Sequence, residues 1–560
     1  MATPTPLVGA GRVAGAAALI AVLTVASRLA GFGRTAVFTW VMGEASDLGG
    51  MYVVANTVPN IIFEIVAGGA LASLVVPLLA GAVAAGDRAA VSATTGALLG
   101  WTLALLVPLA VVVAACAAPI IGLISEGRSA AEVAAGARML RVFAPQLPLY
   151  GIGIVLTGVL QSYRRFAWPV IAPLLSSITV IGVYLAFAAV EGVHPRIAAV
   201  GRGGELILSG GTTLGVAVLS LSLLVPLRRL RLRIRPRWRF PADARSRVGG
   251  LALAGAATVT AQQIALVVSL HQVTGGPTGA PVVFNLAQTV YLLPWAVLAV
   301  PLAVAAYPTL AAAYATGDAD TYRDTLAPTV RRVLLFSCLG AAALTGTAAP
   351  VARFFWPGSG PAAAAAIAGF APGLLGYGLL AVLTRALYAR NAAGPATRAT
   401  VAGWLLVPLA AVAFAAVIPV EHRVLAVGLA NSLGMLLAGV LLVVAVVRAA
   451  GRAAVAGLGR AALVGLLAGS VAAAVGAALV PGLADAVGGT PARAAALLQG
   501  ILSGVVVGAV FLAIAYPLDR HDVRPLLASV GGRLRGLTAR ADRNTVGPEG
   551  KDEEGGRGTR

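Results

Sequence analysis

The sequence has 560 residues, of which 59% are hydrophobic and only 11% charged, and its formal net charge is +20. A soluble domain carries about 25% charged residues, so this composition excludes an ordinary globular surface and indicates a protein whose solvent is lipid. The arginines lie in short segments between apolar runs. That placement is typical of membrane topology rather than of a basic binding face, and nucleic acid is not expected as a partner.

The sequence offers little material for enzymatic chemistry. It contains four histidines and two cysteines, and we find no metal-ligand cluster, phosphate loop, nucleophile motif or paired carboxylates in it. Cys116 and Cys338 each lie in an apolar run, which predicts buried, unreactive thiols. We therefore expect no catalytic activity, no metal and no cofactor.

Apolar runs near 20 residues or longer predict about fourteen transmembrane helices and an all-α polytopic fold. In chain order they lie at about 13–41, 50–84, 90–124, 132–161, 167–190, 207–227, 248–270, 281–314, 325–352, 362–389, 396–418, 424–447, 460–481 and 493–517. The first six and the next six are expected to form two lobes, followed by two extra helices.

Arginine placement divides the chain and orients it. Nine arginines lie between Arg228 and Arg247, and such a block belongs in the cytoplasm. Alternation from there places both termini in the cytoplasm. The end of the chain is basic and polar, which predicts a disordered tail that rests on anionic lipid headgroups. The predicted segments are the N-terminal lobe 1–227, the linker 228–247, the C-terminal lobe 248–447, the two extra helices 448–517 and the tail 518–560.

An internal repeat relates the two lobes. Residues 143–157 (FAPQLPLYGIGIVLT) and 370–384 (FAPGLLGYGLLAVLT) agree at nine of fifteen positions. A second pair, 55–58 (ANTV) and 287–290 (AQTV), lies at nearly the same offset, and each copy leads on to a Gly-Asp step. Six helices separate the copies, so the lobes are expected to have parallel topology around an axis along the membrane normal. Transporters built in this way bind their substrate between the repeats.

Polar side chains at membrane depth are costly and usually functional. Arg28 lies near the middle of the first helix and shares a helical face with Thr35 and Thr39, and Arg34 lies about two turns further along. Such a stripe is expected to face a water-filled cavity. The alternative is that an arginine forms a structural ion pair with Glu64.

The second helix and two helices of the C-terminal lobe supply further candidates. Asn60 and Glu64 share a face of the second helix, and Glu64 could serve either as a counter-ion of an arginine or as a ligand contact. The seventh and eighth helices contribute Gln262, Asn285 and Gln288. Together these seven residues predict a polar, net cationic cavity suited to a phosphate-bearing anion.

Several motifs resemble those of the MurJ/MviN lipid II flippases, which belong to the multidrug/oligosaccharidyl-lipid/polysaccharide exporter superfamily. They are SRLAGFGR at 27–34, VPN at 58–60, AGGA at 67–70, VP at 76–77, QSYRRFAWPVIAP at 161–173 and ALYAR at 386–390. The resemblance covers nearly the whole chain and implies fourteen helices. It also implies transport of an undecaprenyl-diphosphate-linked peptidoglycan precursor to the outer leaflet, with a groove for the lipid tail on the last two helices. It identifies Arg28 and Arg34 as the arginines of the first helix.

The sequence departs from the family pattern at three places. Thr35 replaces an acid, Phe63-Glu64 replaces an arginine pair, and Gln288-Thr289 replaces an Asp-Arg pair. Two other functions are therefore considered: a non-transporting membrane scaffold that recruits cell-wall synthesis proteins, and a drug exporter of the same superfamily. For a flippase, we expect alternating access in the bacterial cytoplasmic membrane, with the arriving diphosphate displacing Glu64 from an arginine.

Overall fold

We describe the protein from a computed structural model, which covers residues 10–66, 72–230, 232, 235–238, 250–357, 361–486 and 492–524. These residues form helices and turns, and no strand occurs among them. The ten helices of the first half are α1 (Ala10–Met42), α2 (Asp47–Glu64), α3 (Ala72–Ala84), α4 (Arg88–Ala115), α5 (Ala117–Ile124), α6 (Ala130–Phe143), α7 (Gln146–Ser162), α8 (Ala167–Glu191), α9 (Arg202–Leu221) and α10 (Leu224–Arg228).

The second half continues with α11 to α18, and two further helices, α19 and α20, follow it. These are α11 (Gly250–Thr274), α12 (Ala280–Pro294), α13 (Val300–Ala315), α14 (Ala319–Phe355), α15 (Pro361–Phe370), α16 (Gly373–Ala389), α17 (Ala393–Val417), α18 (Arg423–Ala450), α19 (Leu458–Ala486) and α20 (Ala492–Leu518). A π-helical turn, Trp295–Ala299, joins α12 to α13.

Eleven helical segments in the described part of the chain are long and apolar enough to cross a membrane. Large apolar side chains stand exposed along them, including Val111 at 64%, Leu409 at 70% and Leu463 at 71%. In water such side chains would oppose folding, whereas lipid solvates them. The prediction of an all-helical membrane protein is confirmed at this level.

The breaks within the predicted spans lie at repeated positions. The predicted helices 132–161 and 362–389 are each two helices, and in both the first ends at the Phe of a Phe-Ala-Pro step, Phe143 or Phe370. Pro145 and Pro372 then stand at the N-caps of α7 and α16. Proline lacks a backbone N–H, which a first helical turn does not use, so the motif ends one helix and begins the next.

The Gly-Asp steps of the repeat also share their geometry. Gly86 and Gly317 have φ angles of +69° and +73°, in the left-handed region where glycine avoids a Cβ clash. The following aspartates cap helices: Asp87 accepts from the Ala90 N–H and Asp318 from the Thr321 N–H, each at 2.9 Å. The two halves therefore repeat local structure as well as sequence.

The last two helices pack on α14 through small residues. The Ser503 hydroxyl of α20 donates to the carbonyl oxygens of Gly346 and Gly476, at 3.0 and 2.9 Å, which ties three helices together. Small residues permit this close approach where apolar burial between helices contributes little. Just past α20, the buried Asp522 accepts from Arg331 of α14. The start of the predicted tail is thus packed, and residues 525–560 lie outside the described residues.

The prediction of two buried cysteines needs correction. Cys116 is exposed, because α4 ends there and α5 begins at Ala117; only Cys338 is buried. Residues of the predicted linker pack on Gly96 and Gly100 of α4, where an added Cβ would lie 2.3 Å from the Arg235 carbonyl oxygen and 2.2 Å from that of Arg237. The Arg237 N–H donates to the Gly96 carbonyl at 2.9 Å, and the Trp101 indole donates to the Trp238 carbonyl at 3.0 Å. Part of the predicted linker therefore lies across α4, and most of its other residues lie outside the described ranges.

Candidate binding cavities

Two small cavities lie inside the helical bundle, one in each half. The N-half cavity has a volume of about 140 Å³ and lies among α1, α2, α8, α9 and α12. Its lining residues are Arg34, Thr35, Phe38, Tyr52, Val53, Asn56, Thr57, Asn60, Tyr184, Thr212 and Asn285. Three residues predicted from the sequence, Arg34, Asn60 and Asn285, therefore meet in one place.

Hydrogen bonds between side chains hold the wall of the N-half cavity. The Tyr52 hydroxyl lies 2.8 Å from the hydroxyls of both Tyr184 and Thr212. The Tyr150 hydroxyl donates to Asn60 Oδ1 at 2.8 Å, and Asn60 Nδ2 donates to the Asn56 carbonyl at 2.9 Å. These bonds fix the shape of the wall, and Asn56 Oδ1 is the wall atom that has no hydrogen-bond partner among the described residues.

Arg34 is the cation of the N-half cavity. Its side chain is exposed to the cavity and acts electrostatically on the hydroxyls of Tyr52, Tyr150 and Tyr184. No carboxylate of the described residues lies within 4.0 Å of it, although ion pairs form elsewhere, such as Arg138–Glu205 at 2.5 Å. A guanidinium without a counter-ion, surrounded by hydrogen-bonding groups, can pair with an incoming phosphate through two parallel bonds.

Arg28 and Glu64 line neither of these two cavities. Both side chains are exposed, and Glu64 lies close enough to Tyr150 and Tyr377 for its charge to act on them. The ion pair expected between Glu64 and an arginine of α1 is not formed: within the described residues, no arginine lies within 4.0 Å of this carboxylate. Asn56 and Asn60 turn into the cavity, whereas Glu64, a turn further along α2, stands outside it.

The C-half cavity has a volume of about 150 Å³ and lies among α11, α12, α15, α16, α17 and α18. Its lining residues are Gln262, Ala265, Leu266, Ser269, Gln288, Tyr291, Leu292, Phe370, Tyr377, Trp404, Val407 and Asn431. The predicted Gln262 and Gln288 lie here, apart from the other predicted residues. The seven site residues therefore do not form one cavity. No charged side chain lines the C-half cavity, and four of its residues are aromatic.

The two cavities occupy equivalent positions of the repeat. Asn56 of the N-half cavity aligns with Gln288 of the C-half cavity in the second repeat pair. Tyr150 and Tyr377 align in the first pair; Tyr150 bonds to a residue of one cavity, and Tyr377 lines the other. Aligned residues of the repeat therefore lie at both cavities, and the two cavities differ in chemistry.

Hydrogen bonds between the two halves cluster at one end of the bundle. Arg128, just after α5, donates to the carbonyls of Thr274 and Gly276 at 2.8 and 2.9 Å. The Thr274 hydroxyl donates to the Ile124 carbonyl at 2.7 Å. Nearby, Gly279 packs so closely on the Glu44 backbone that an added Cβ would lie 2.1 Å from its carbonyl oxygen. The halves are therefore joined at the end that carries the turn between α1 and α2.

Sequence reasoning missed several residues of the cavities. Tyr52, Tyr184 and Thr212 were not singled out, because tyrosine and threonine are common in membrane helices and the sequence does not indicate which helices meet. Asn431 could have been found from the sequence, because it is the one amide side chain in the predicted helix 424–447 and amides are uncommon at membrane depth. Tyr150 and Tyr377 could also have been found, because both recur at the same position of the repeat.

Comparisons with known proteins give a family match and a shared fold. Residues 40–489 match the lipid II flippase MurJ family. A solved structure of lipid II flippase MurJ, in an inward closed conformation, is 18% identical with a TM-score of 0.68, over 89% of this chain and 99% of that one. An inward-facing multidrug resistance MATE family transporter is 15% identical with a TM-score of 0.60, over 81% and 98%. A superfamily transporter from Pyrococcus furiosus is 15% identical with a TM-score of 0.53, over 82% and 96%. At these identities, the likeness to solved structures concerns the fold.

Proposed function

Because the chain belongs to the MurJ lipid II flippase family, we propose that it carries lipid II from the inner to the outer leaflet of the bacterial cytoplasmic membrane by alternating access. One observation supports this proposal above the others. Arg34 stands in a hydrogen-bonding cavity with no counter-ion within 4.0 Å among the described residues. An uncompensated cation at membrane depth is costly unless a ligand uses it, and the diphosphate of lipid II is such a ligand.

The membrane arrangement proposed here has fourteen spans. Eleven segments meet the length and hydropathy criteria, and α1, α2 with α3, and α11 supply three more. The arginine-rich linker then lies in the cytoplasm with both termini, and a pseudo-two-fold axis along the membrane normal relates α1–α10 to α11–α18. The exposed leucines of α19 and α20 offer a groove for the polyprenyl tail.

The contacts between the halves support an inward-open state. In this topology, the joined end with Arg128 and the α1–α2 turn faces outward, so the halves must separate at the cytoplasmic end to admit the headgroup. Arg28 lies six residues before Arg34, about 9 Å along the helix and nearer the cytoplasm. We assign Arg28 to the first contact with the diphosphate and Arg34 to its bound position.

The membrane potential favours this direction of transport. With the cell interior negative, outward movement of an anion is downhill by about 2.3 kcal/mol per charge per 100 mV. A diphosphate that leaves its counter-cation behind on the protein therefore moves with the field. The same field would oppose export of a cation, as in the drug-exporter alternative.

Complementation tests this function. The full chain should restore growth to cells depleted of their lipid II flippase, and Arg34→Ala should not, at equal membrane abundance. A scaffold that does not transport lipid would restore growth with neither protein. Growth supported equally by Arg34→Ala would remove Arg34 from the transport mechanism.

A further inference from the structure

A third cavity lies at the surface between α17 and α18, at the end of the bundle where α17 begins and α18 ends. Its volume is about 440 Å³. One arginine from each helix lines it together with small and apolar side chains; these residues are Arg398, Ala399, Leu441, Val444, Ala445 and Arg448. We call this cavity the arginine cleft, because two cations stand on an otherwise apolar wall.

The two arginines of the cleft are not used by the protein itself. Both are exposed, and within the described residues neither Arg398 nor Arg448 forms an ion pair or a hydrogen bond. The neighbouring Arg390 differs: it lies 5.1 Å from the centre of the Tyr322 ring and donates to the Ala449 carbonyl at 2.6 Å. Because Ala449 lines the cleft, this bond braces the wall. The cleft thus has a supported wall and two guanidiniums available to an anion.

The residues on the same helix faces show that the cleft borders lipid. Leu405 and Leu409 lie seven and eleven residues after Arg398, within about 20° of it around α17, and both are exposed. On α18, the exposed Val444 lies one turn before Arg448. Exposed apolar stripes of this kind are solvated by lipid tails. The arginines therefore stand where a lipid-facing surface meets the ends of the helices.

The cleft is separate from the C-half cavity, although α17 and α18 line both. Trp404 of that cavity lies six residues after Arg398, a rotation of about 120° around α17. Asn431 lies seventeen residues before Arg448, a rotation of about 100° around α18. The arginines point away from the interior of the bundle, so the ligand of the cleft comes from the surrounding membrane.

We propose that the arginine cleft binds the headgroup phosphate of an anionic phospholipid. Two guanidiniums supply charge and parallel hydrogen bonds for the phosphate oxygens, and Leu441 and Val444 offer an apolar wall to the glycerol and the first acyl carbons. Basic pockets between transmembrane helices bind such headgroups on the cytoplasmic side. The topology proposed above places this end in the cytoplasm and the lipid in the inner leaflet. The site itself does not depend on lipid II transport.

Binding of phospholipids to the purified full chain in detergent, followed by native mass spectrometry, tests the proposal. The probes are phosphatidylglycerol, which is anionic, and phosphatidylcholine, which is zwitterionic. Phosphatidylglycerol should bind more tightly, and Arg398→Gln/Arg448→Gln should weaken its tightest binding at least tenfold. Ala445→Leu fills the cleft at constant charge and should weaken it about three- to tenfold.

A matched control removes two other exposed arginines. Arg88→Gln/Arg228→Gln makes the same change of charge outside the cleft, on the same side in this topology, and should leave the affinity within about twofold. Equal weakening by this control would overturn the proposal, because the lipid would then respond to net charge alone. Unchanged affinity in Arg398→Gln/Arg448→Gln would overturn it too.

A competition experiment distinguishes a lipid from a free anion. Inorganic phosphate at millimolar concentration should not displace phosphatidylglycerol, since it lacks the groups that contact the apolar wall. Full displacement would show a site for a soluble anion and would contradict the proposal. The outcome is independent of the proposed function: a chain that binds phosphatidylglycerol as expected but fails to restore growth contradicts lipid II transport alone.

Discussion

The N-half and C-half cavities share aligned residues of one repeat, Asn56 with Gln288 and Tyr150 with Tyr377, but differ in chemistry. In the N-half, tyrosine, threonine and asparagine side chains bond to one another, and Arg34 remains available for a ligand. In the C-half, every lining residue is neutral, and four of them, Tyr291, Phe370, Tyr377 and Trp404, are aromatic. The repeated segments therefore share their helix breaks and turns but differ in the side chains that line the two cavities.

Arg34→Ala is expected to have the largest effect. A hydrogen bond to a charged group contributes about 1.5–3 kcal/mol, so lipid II transport should fall at least tenfold. Arg34→Lys should restore part of it, because an ammonium keeps the charge but not the two-pronged geometry. Lipid II translocation in proteoliposomes measures both. Transport by Arg34→Ala within twofold of the wild type would contradict the cationic role of the N-half cavity.

Arg28→Ala should have an intermediate effect. Arg28 is exposed and lies outside both cavities, so we expect transport to fall about three- to tenfold. The association rate of lipid II should fall more than its dissociation rate rises. Association and dissociation rates of lipid II in nanodiscs separate the two. A dissociation rate that rises as much as in Arg34→Ala would show that both arginines hold the bound diphosphate.

The aligned tyrosines should respond differently to the same substitution. Tyr150→Phe removes a donor to Asn60 and should lower the free energy of unfolding by about 1 kcal/mol. Tyr377→Phe should change it by less than about 0.5 kcal/mol, because the Tyr377 hydroxyl makes no hydrogen bond among the described residues. Denaturant unfolding of the purified proteins compares them. Equal losses of unfolding free energy in the two variants would mean that both tyrosine hydroxyls form stabilising hydrogen bonds.

Glu64→Gln should have the smallest effect. Within the described residues the carboxylate forms no ion pair, and its charge acts on Tyr150 and Tyr377, so removing that charge should tighten diphosphate binding about threefold. Glu126→Gln is the control, since Glu126 is 80% exposed at the joined end of the bundle. Weaker binding by Glu64→Gln would make Glu64 a ligand contact, and the expected exchange of counter-ions would fail.

The helices were largely predictable, and the interior was predictable only in part. Span positions follow from apolar runs because lipid requires about 20 apolar residues per crossing. The helix breaks at Phe143 and Phe370 coincide with the Phe-Ala-Pro step of the repeat. Hydropathy does not reveal them, because the apolar run continues without interruption through each break. The grouping of Arg34 with Asn285, and of Gln262 with Asn431, depends on which helices meet. Helical periodicity alone places Arg28 and Glu64 on polar faces but does not reveal that both stand outside the cavities.

Comparing a charged ligand with a neutral one tests whether Arg34 in the N-half cavity binds the diphosphate. The measurement is the ratio of affinities for undecaprenyl diphosphate and undecaprenol, in the wild type, in Arg34→Gln and in Gln262→Leu. Arg34→Gln makes the N-half cavity neutral, like its C-half counterpart, and should reduce the ratio at least tenfold, whereas Gln262→Leu should leave it within about twofold. A ratio that Arg34→Gln leaves unchanged, or that Gln262→Leu reduces as much, would contradict the account.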